Sequence, residues 1–445
     1  MIYVRKGKTM GSAEKKLTDD DLSKITGGYI ETFGFVKGSD VICPNCRAER
    51  KEDFNVTLNF NYSRNDYICK ICGQTFSIDY ASAVGKYRCG RFLIPKWISE
   101  RNAPSALIKN VCKKGDETMK QRTPLVKHIF TADPSAHVFD DKIYVYPSHD
   151  IAHDGDDDDE GGEYRMEDYH VLSLDNLEAD CVDNGEALHM KDVAWVSKQM
   201  WAPDAARKDG EYYLYFPARD KEGIFRIGVA NSSSPTGPFK AEDRYIEGSK
   251  SIDPAVFEDE DGRYYMYNGG LWGGQLEKWQ TGSFVKGDPN MIPGDDGPKG
   301  DEPALGPYVA ELADDMKSFK SEPKMIRILD ENGELIKAGD EDRRYFEGPW
   351  MHKYNGLYYL SYSTGTTHYV VYATGTDPMG PFTYRGRILE PVLGWTTHHS
   401  IIEYHGKWYL FYHDCELSNG INHRRNVKYV ELEYNTDGTI KTIIP

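Results

Sequence analysis

The sequence predicts an all-β protein, a five-bladed β-propeller over residues 119–445 preceded by a small zinc-ribbon-like appendage over residues 1–118. Three observations predict it: one hairpin pattern recurs five times in the later part of the chain, the charge changes sign near residue 118, and six of the eight cysteines fall before that point. Of 445 residues, 39% are hydrophobic and 13% aromatic, enough for a sizeable core and too aromatic for a disordered chain. No run approaches the roughly 18 consecutive apolar residues of a spanning helix, so no membrane partner is expected. A net charge of −17 argues against nucleic acid or an anionic membrane surface. Residues 1–16 lack the apolar run of a secretory signal, which makes the cytoplasm the expected compartment.

The appendage is basic. Residues 1–118 carry 20 Lys and Arg against 14 Asp and Glu, or +6, so the remainder carries −23. Within it, LTDDDLSKITGG (17–28) resembles the end of a double-glycine leader of bacterial peptide precursors, and reads equally as a short helix stopped by Gly27 and Gly28. Cys43-Pro-Asn-Cys46 and Cys69-Lys-Ile-Cys72 form two CxxC knuckles 22 residues apart. Four thiolates so spaced can close a tetrahedral shell around Zn²⁺, which places a ribbon at about residues 41–76. Unliganded or redox-active cysteines are the alternative. FNVTLNFNY (54–62), between the knuckles, alternates like a strand. Such a metal holds a small fold together and need not do chemistry, and the segment reads as an appendage, or a gene-fusion artefact, without a catalytic part. Beyond it, Cys181 and Cys415 are too few for a disulfide framework, as in a reducing compartment.

The propeller rests on the repeat. KIYVY (142–146), EYYLYF (211–216), RYYMYN (263–268), LYYLSY (357–362) and KWYLFY (407–412) each follow a tight-turn pair such as Asp-Gly or Asn-Gly. Aligned on Tyr144, Tyr213, Tyr265, Tyr359 and Tyr409, the steps are 69, 52, 94 and 50 residues. Periods near 50 with β content indicate propeller blades, with insertions in the longer steps. IGVANSSSPTGPF (227–239) and VVYATGTDPMGPF (370–382) repeat later strands and end in the same Pro-x-Gly-Pro-Phe turn.

Some 9 to 12 residues before each anchor tyrosine stands an ionisable group: Asp133, Asp204, Asp253, Glu347 and His398. The first strand of each blade lines the central channel, so these groups are expected to converge on the axis. Three carboxylates and a histidine around a pocket suit acid/base hydrolysis of a glycosidic bond. One carboxyl donates a proton to the leaving oxygen, another activates water, and a third keeps the acid protonated by repulsion.

The strings TADPSAHVFDDKIYVYPSHD, WAPDAARKDGEYYLYFPA, SIDPAVFEDEDGRYYMYNGG, FEGPWMHKYNGLYYLSYSTG and TTHHSIIEYHGKWYLFYHD resemble glycoside hydrolase family 43 at every blade, over residues 125–445. The resemblance implies an inverting β-xylosidase or α-L-arabinofuranosidase acting on a small oligosaccharide. It implies Asp133 as general base, Glu347 as general acid and Asp253 as the carboxylate that tunes the acid. It implies His398 as the axial histidine that meets Ca²⁺ or another cation through water. Trp201 either stacks on sugar or belongs to the core, and Asp204 either bonds a sugar hydroxyl or is satisfied internally. Of Arg424 and Arg425, the former is favoured as the arginine beside the bound sugar. An endo-acting arabinanase and a non-catalytic sugar-binding propeller remain the rival readings. A retaining fructan hydrolase is excluded because its Asp-Pro-Asn and Glu-Cys motifs are missing from the matching blades. The acidic run DGDDDDE (154–160) has Asp159 and Arg165 where an EF-hand needs Gly and Glu, so it reads as a solvated insertion. Residues 273–344 are expected to form a surface loop that walls the pocket.

Overall fold

The computed structural model describes residues 121–154, 158, 160–287 and 294–445, together with the backbone of five short strands in the N-terminal segment. The chain divides into two units, Met1–Glu117 and Thr118–Pro445. In the first, β1 (Phe54–Leu58), β2 (Arg64–Cys69) and β3 (Thr75–Asp79) form an antiparallel sheet in that order, and β4 (Arg88–Cys89) pairs with β5 (Phe92–Leu93). The described part of the alternating stretch is the strand β1, which pairs with β2 and sets Phe54 opposite Cys69. Cys43, Cys46 and Cys72, and the leader-like residues 17–28, lie outside the described residues, and with them the expected zinc shell.

The second unit is a five-bladed propeller. Blade one is β6 (Phe130–Phe139), β7 (Lys142–Asp150), β8 (Asp168–Leu174) and β9 (Val182–His189). Blade two holds β10 (Val196–Lys198), β11 (Asp204–Lys208), β12 (Glu211–Asp220), β13 (Phe225–Ser232) and β14 (Lys240–Ala241), with β10 and β11 both paired to β12. Blade three is β15 (Ala255–Glu258), β16 (Tyr264–Asn268), β17 (Tyr308–Glu311) and β18 (Lys324–Met325). Blade four is built from β19 (Ile328–Leu329), β20 (Glu347–Tyr354), β21 (Leu357–Ser363), β22 (Val370–Gly375) and β23 (Phe382–Leu389), with β19 on its outer edge. Blade five is β24 (His399–Tyr404), β25 (Lys407–Asp414) and β26 (Asn426–Leu432). The inner strands β6, β11, β15, β20 and β24 touch one another in a ring.

Residues 273–344 are corrected from a surface loop. They contain β17 and β18, the outer half of blade three, and β19, which blade four captures by parallel pairing to β23. Their near end reaches the pocket through Gly273 and Gly274.

The tyrosine repeats are inter-blade fasteners. Tyr146 and Tyr267, on second strands, are fully buried, and each donates its hydroxyl at 2.7 Å to the Pro235 or Pro378 carbonyl of the next blade. Those prolines open the two repeated Pro-x-Gly-Pro-Phe turns, so the two sequence repeats are halves of one contact. Tyrosine suits the place because its ring fills the core while its hydroxyl finds a carbonyl to bond on the neighbouring blade. The ring closes where the segment before β6 runs along β26, through Arg122 N to Tyr429 O (2.7 Å) and Leu125 N to Val427 O (2.9 Å), and where Thr131 N at the start of β6 donates to Arg425 O (2.8 Å). Among the described residues no helix is long and apolar enough to cross a membrane.

Candidate active site

The site begins with two interruptions in strand pairing. The register of β6 on β7 shifts between Ala132 and Ser135, and that of β20 on β21 shifts between Glu347 and Trp350. Pro134 and Pro349 sit within these bulges, where the lack of an N–H costs no ladder bond. Asp133 takes a positive φ of 48°, Asp253 one of 56° and Gly348 one of 62°. Aspartate tolerates this region better than most side chains. The bulges turn the carboxyl-bearing residues out of the strand alternation and into an axial pocket of about 180 Å³.

Asp133, Asp253, Glu347 and His398 all line that pocket, as does Arg425. Asp133 Oδ1 accepts from Arg425 Nη1 at 2.9 Å and its Oδ2 from Ser148 Oγ at 2.7 Å. Arg425 forks onto buried Asp150 through Nε (2.9 Å) and Nη2 (2.8 Å), and the Tyr164 ring lies 4.7 Å from its guanidinium carbon. The Asp133 amide donates to His413 Nδ1 at 3.0 Å, which leaves the His413 proton on Nε2, 3.0 Å from the Thr396 carbonyl. Burial and the Arg425 charge push the His413 pKa to about 4. His413 is therefore neutral and holds the Asp133 backbone by a hydrogen bond.

The carboxyls are tuned in opposite directions. Burial alone would raise the Asp133 pKa, but Arg425 and the Ser148 hydroxyl outweigh it and hold Asp133 below the usual aspartate range. Burial and the Asp133 charge push Glu347 up to about 8, against the opposing pull of Arg425. Asp253 is also raised, by burial and then by Glu347 and Asp133. Its Oδ2 accepts the Gly348 N–H at 2.9 Å, so it grips the peptide next to Glu347.

Other expected residues divide. Trp201 lines the pocket and also packs on Phe225 at 4.6 Å between ring centroids, its indole N–H donating to Tyr164 O at 3.0 Å. It is a fixed wall, serving pocket and core together. Asp204 is corrected out of the substrate-binding set: it is fully buried, one oxygen bonded to Ser135 and His137 and the other to the Val256 amide. It joins the inner strands of blades one, two and three. Arg424 is corrected likewise, since its guanidinium turns to His153 O (2.7 Å) and Asp154, and its neighbour Arg425 occupies the pocket. His398 faces the pocket with both ring nitrogens buried and without a hydrogen-bond partner among the described residues, its Nε2 3.8 Å from Asp253. The described residues of the acidic run, Asp154, Asp158 and Glu160, are exposed, and Asp158 also borders the pocket, accepting from the Glu160 and Gly162 amides. Sequence reasoning missed Ser148, Asp150 and His413. Their signal lies in the ends of two repeated strings, PSHD (147–150) and YHD (412–414), which occupy matching ends of second strands in blades one and five.

A five-bladed propeller whose axial pocket sets an ionised carboxyl against a protonated one, with a third beside them, defines a glycoside hydrolase. Residues 122–440 match the family described as glycosyl hydrolases family 43. The chain belongs to that family. It is 59% identical over 325 residues to a xylosidase/arabinosidase 43A of Humicola insolens, covering 72% of this chain and 99% of the relative. It is 50% identical over 320 residues to a xylosidase/arabinosidase of Bacteroides ovatus, covering 72% and 96%. Among solved structures, a β-xylosidase/α-arabinofuranosidase from a compost microbial metagenome, in complex with xylotriose and calcium-free, superposes with a TM-score of 0.70 at 60% identity, covering 72% of this chain and 97% of that one. A Xanthomonas citri enzyme complexed with xylotriose gives 0.68 at 50% identity, covering 73% and 93%.

Proposed function

We propose that this chain removes terminal xylose or arabinofuranose from oligosaccharides derived from plant hemicellulose and arabinan, with inversion at the anomeric carbon. The observation that carries this reading is the opposite tuning of Asp133 and Glu347 in one pocket. Asp133, as general base, takes a proton from water as that water attacks the anomeric carbon. Glu347, as general acid, gives its proton to the glycosidic oxygen as the C–O bond breaks. Asp253 orients the acid through the Gly348 amide, while burial and the Asp133 charge favour the protonated form of Glu347. A pocket of about 180 Å³ walled by Trp201, Trp272 and Trp395 suits one sugar at a chain end. The names of the relatives support a pentose in that place.

The same pocket fits a hydrated cation of the calcium type. Ca²⁺ prefers oxygen ligands, and the buried, unpartnered nitrogens of His398 suit hydrogen bonding to its water shell rather than direct ligation. Such an ion would add positive charge near the carboxyls. The residues named above hold, orient and move the protons.

Hydrolysis of an aryl β-xyloside and an aryl α-L-arabinofuranoside, followed by proton NMR, tests the reading. Release of the inverted anomer first is expected, and first release of the retained anomer would refute it. Calcium added to chelated protein is expected to raise activity and the melting midpoint, and a null response removes the cation.

A further inference from the structure

Away from the axial pocket, His149, Asp168 and His170 each bring a ligand atom to within 4.8 Å of the others. The strand pleat puts them there. Ser148 on β7 stands opposite Tyr169 on β8 in an antiparallel pair. His149 therefore stands opposite Asp168, and His170 follows two residues on, on the same face. The alternate residues turn the other way, with Ser148 and Asp150 bonded to Asp133 and Arg425. One strand thus serves the catalytic pocket with one face and a histidine–carboxylate cluster with the other.

The cluster is braced as a ligand set is. His149 Nδ1 lies 2.7 Å from Asp168 Oδ1, and His170 Nε2 lies 3.8 Å from Asp168 Oδ2. On the far side of its ring, His170 Nδ1 meets Asp183 Oδ1 at 2.8 Å. Asp183 is itself held by the Gly185 amide at 2.9 Å and by His128 Nε2 at 2.7 Å. A carboxylate that accepts the Nδ1–H hydrogen bond keeps the proton on Nδ1 and leaves the Nε2 lone pair free to ligate, the outer arrangement that fixes metal-binding histidines. The side chains of His149, Asp168 and His170 are 20%, 13% and 15% exposed, which is enough for an ion to enter.

We propose that His149, Asp168 and His170 bind a divalent cation of the zinc class on the first blade, with Asp183 as the residue that positions His170. Two imidazoles with one carboxylate favour such an ion over Ca²⁺ or Mg²⁺, which take oxygen sets. Three protein ligands leave one tetrahedral position for water. The bound ion ties β7 to β8 directly behind Ser148 and Asp150, and so stiffens the strand that steadies Asp133 and Arg425. It touches no substrate, and the proposal stands independently of the sugar specificity above.

The test uses the full chain, stripped with chelator and dialysed against Zn²⁺, with bound zinc counted per chain and melting midpoints recorded. The wild type is expected to hold one Zn²⁺ more than the His149→Gln/His170→Gln double variant, and to gain more in midpoint on zinc addition. Zinc taken up by the N-terminal cysteines cancels in that difference. Asp168→Asn, nearly isosteric, supplies a second comparison if the double variant folds poorly. Asp183→Asn is expected to weaken zinc binding by about 10- to 100-fold. Equal zinc content in wild type and variants overturns the proposal. So does a midpoint that responds to pH and not to zinc, the behaviour of a cluster that shares protons only.

Discussion

At the scale of single residues, Arg425 decides the chemistry. Its guanidinium spans Asp133 and Asp150, and its charge separates two carboxyls that burial alone would push in the same direction. The proposed mechanism requires Asp133 ionised and Glu347 protonated. The kcat/KM profile is therefore expected to be a bell whose alkaline limb falls near pH 8 and whose acid limb lies below the usual aspartate range. Arg425→Met removes a charge that lowers both pKa values, so both limbs should move to higher pH. It also strands two buried carboxylates, at a cost of about 3–5 kcal/mol in chemical denaturation. Arg425→Lys keeps the charge without the fork, so it should preserve the limbs better than the stability. Glu347→Gln should lower kcat by about 10²–10⁴-fold. The same substitution should alter stability with a definite sign. Between the ordinary glutamate value of 4.5 and about 8, the folded protein holds a proton that the unfolded chain releases, so stability falls as pH rises through that window. Glu347→Gln should melt higher than wild type at pH 8 and close to it at pH 5, by calorimetry.

At the scale of elements, the two bulges matter most. In an uninterrupted strand, side chains alternate strictly, and the carboxyls would compete with the inter-blade core for a face. The Asp-Pro and Glu-Gly-Pro strings spell out these bulges. At Gly348 a Cβ would stand 3.0 Å from the His398 ring at a φ of 62°. Gly348→Ala should therefore cost about 1–3 kcal/mol by thermal denaturation and displace both Glu347 and His398, lowering kcat more than it raises KM. The tyrosine hairpins were legible because each repeats, and repetition makes an apolar strand pattern recognisable without a partner. Strands β17, β18 and β19 were not, because they are two to four residues long and get their hydrogen bonds from sheets whose other strands are distant in sequence.

For the whole molecule, the aligned 325 residues make up 99% of the Humicola insolens relative, so a chain of about the propeller's length suffices there for a complete protein. The unit Thr118–Pro445, expressed alone, is expected to fold and to keep the kcat of the full chain. Loss of folding or activity would count against reading the first unit as an appendage without a catalytic part. By itself the sequence determined the blade number, the family and four of the pocket's ionisable groups, because repeats report on equivalent positions whatever their surroundings. Only the tertiary structure decided between Arg424 and Arg425, withdrew Asp204, and joined Ser148, Asp150 and His413 to the site. Those outcomes depend on which face of a strand meets the axis and on which distant group satisfies a buried charge. Both are set by strand pairings that bring residues as far apart as Asp133 and Arg425 within 2.9 Å.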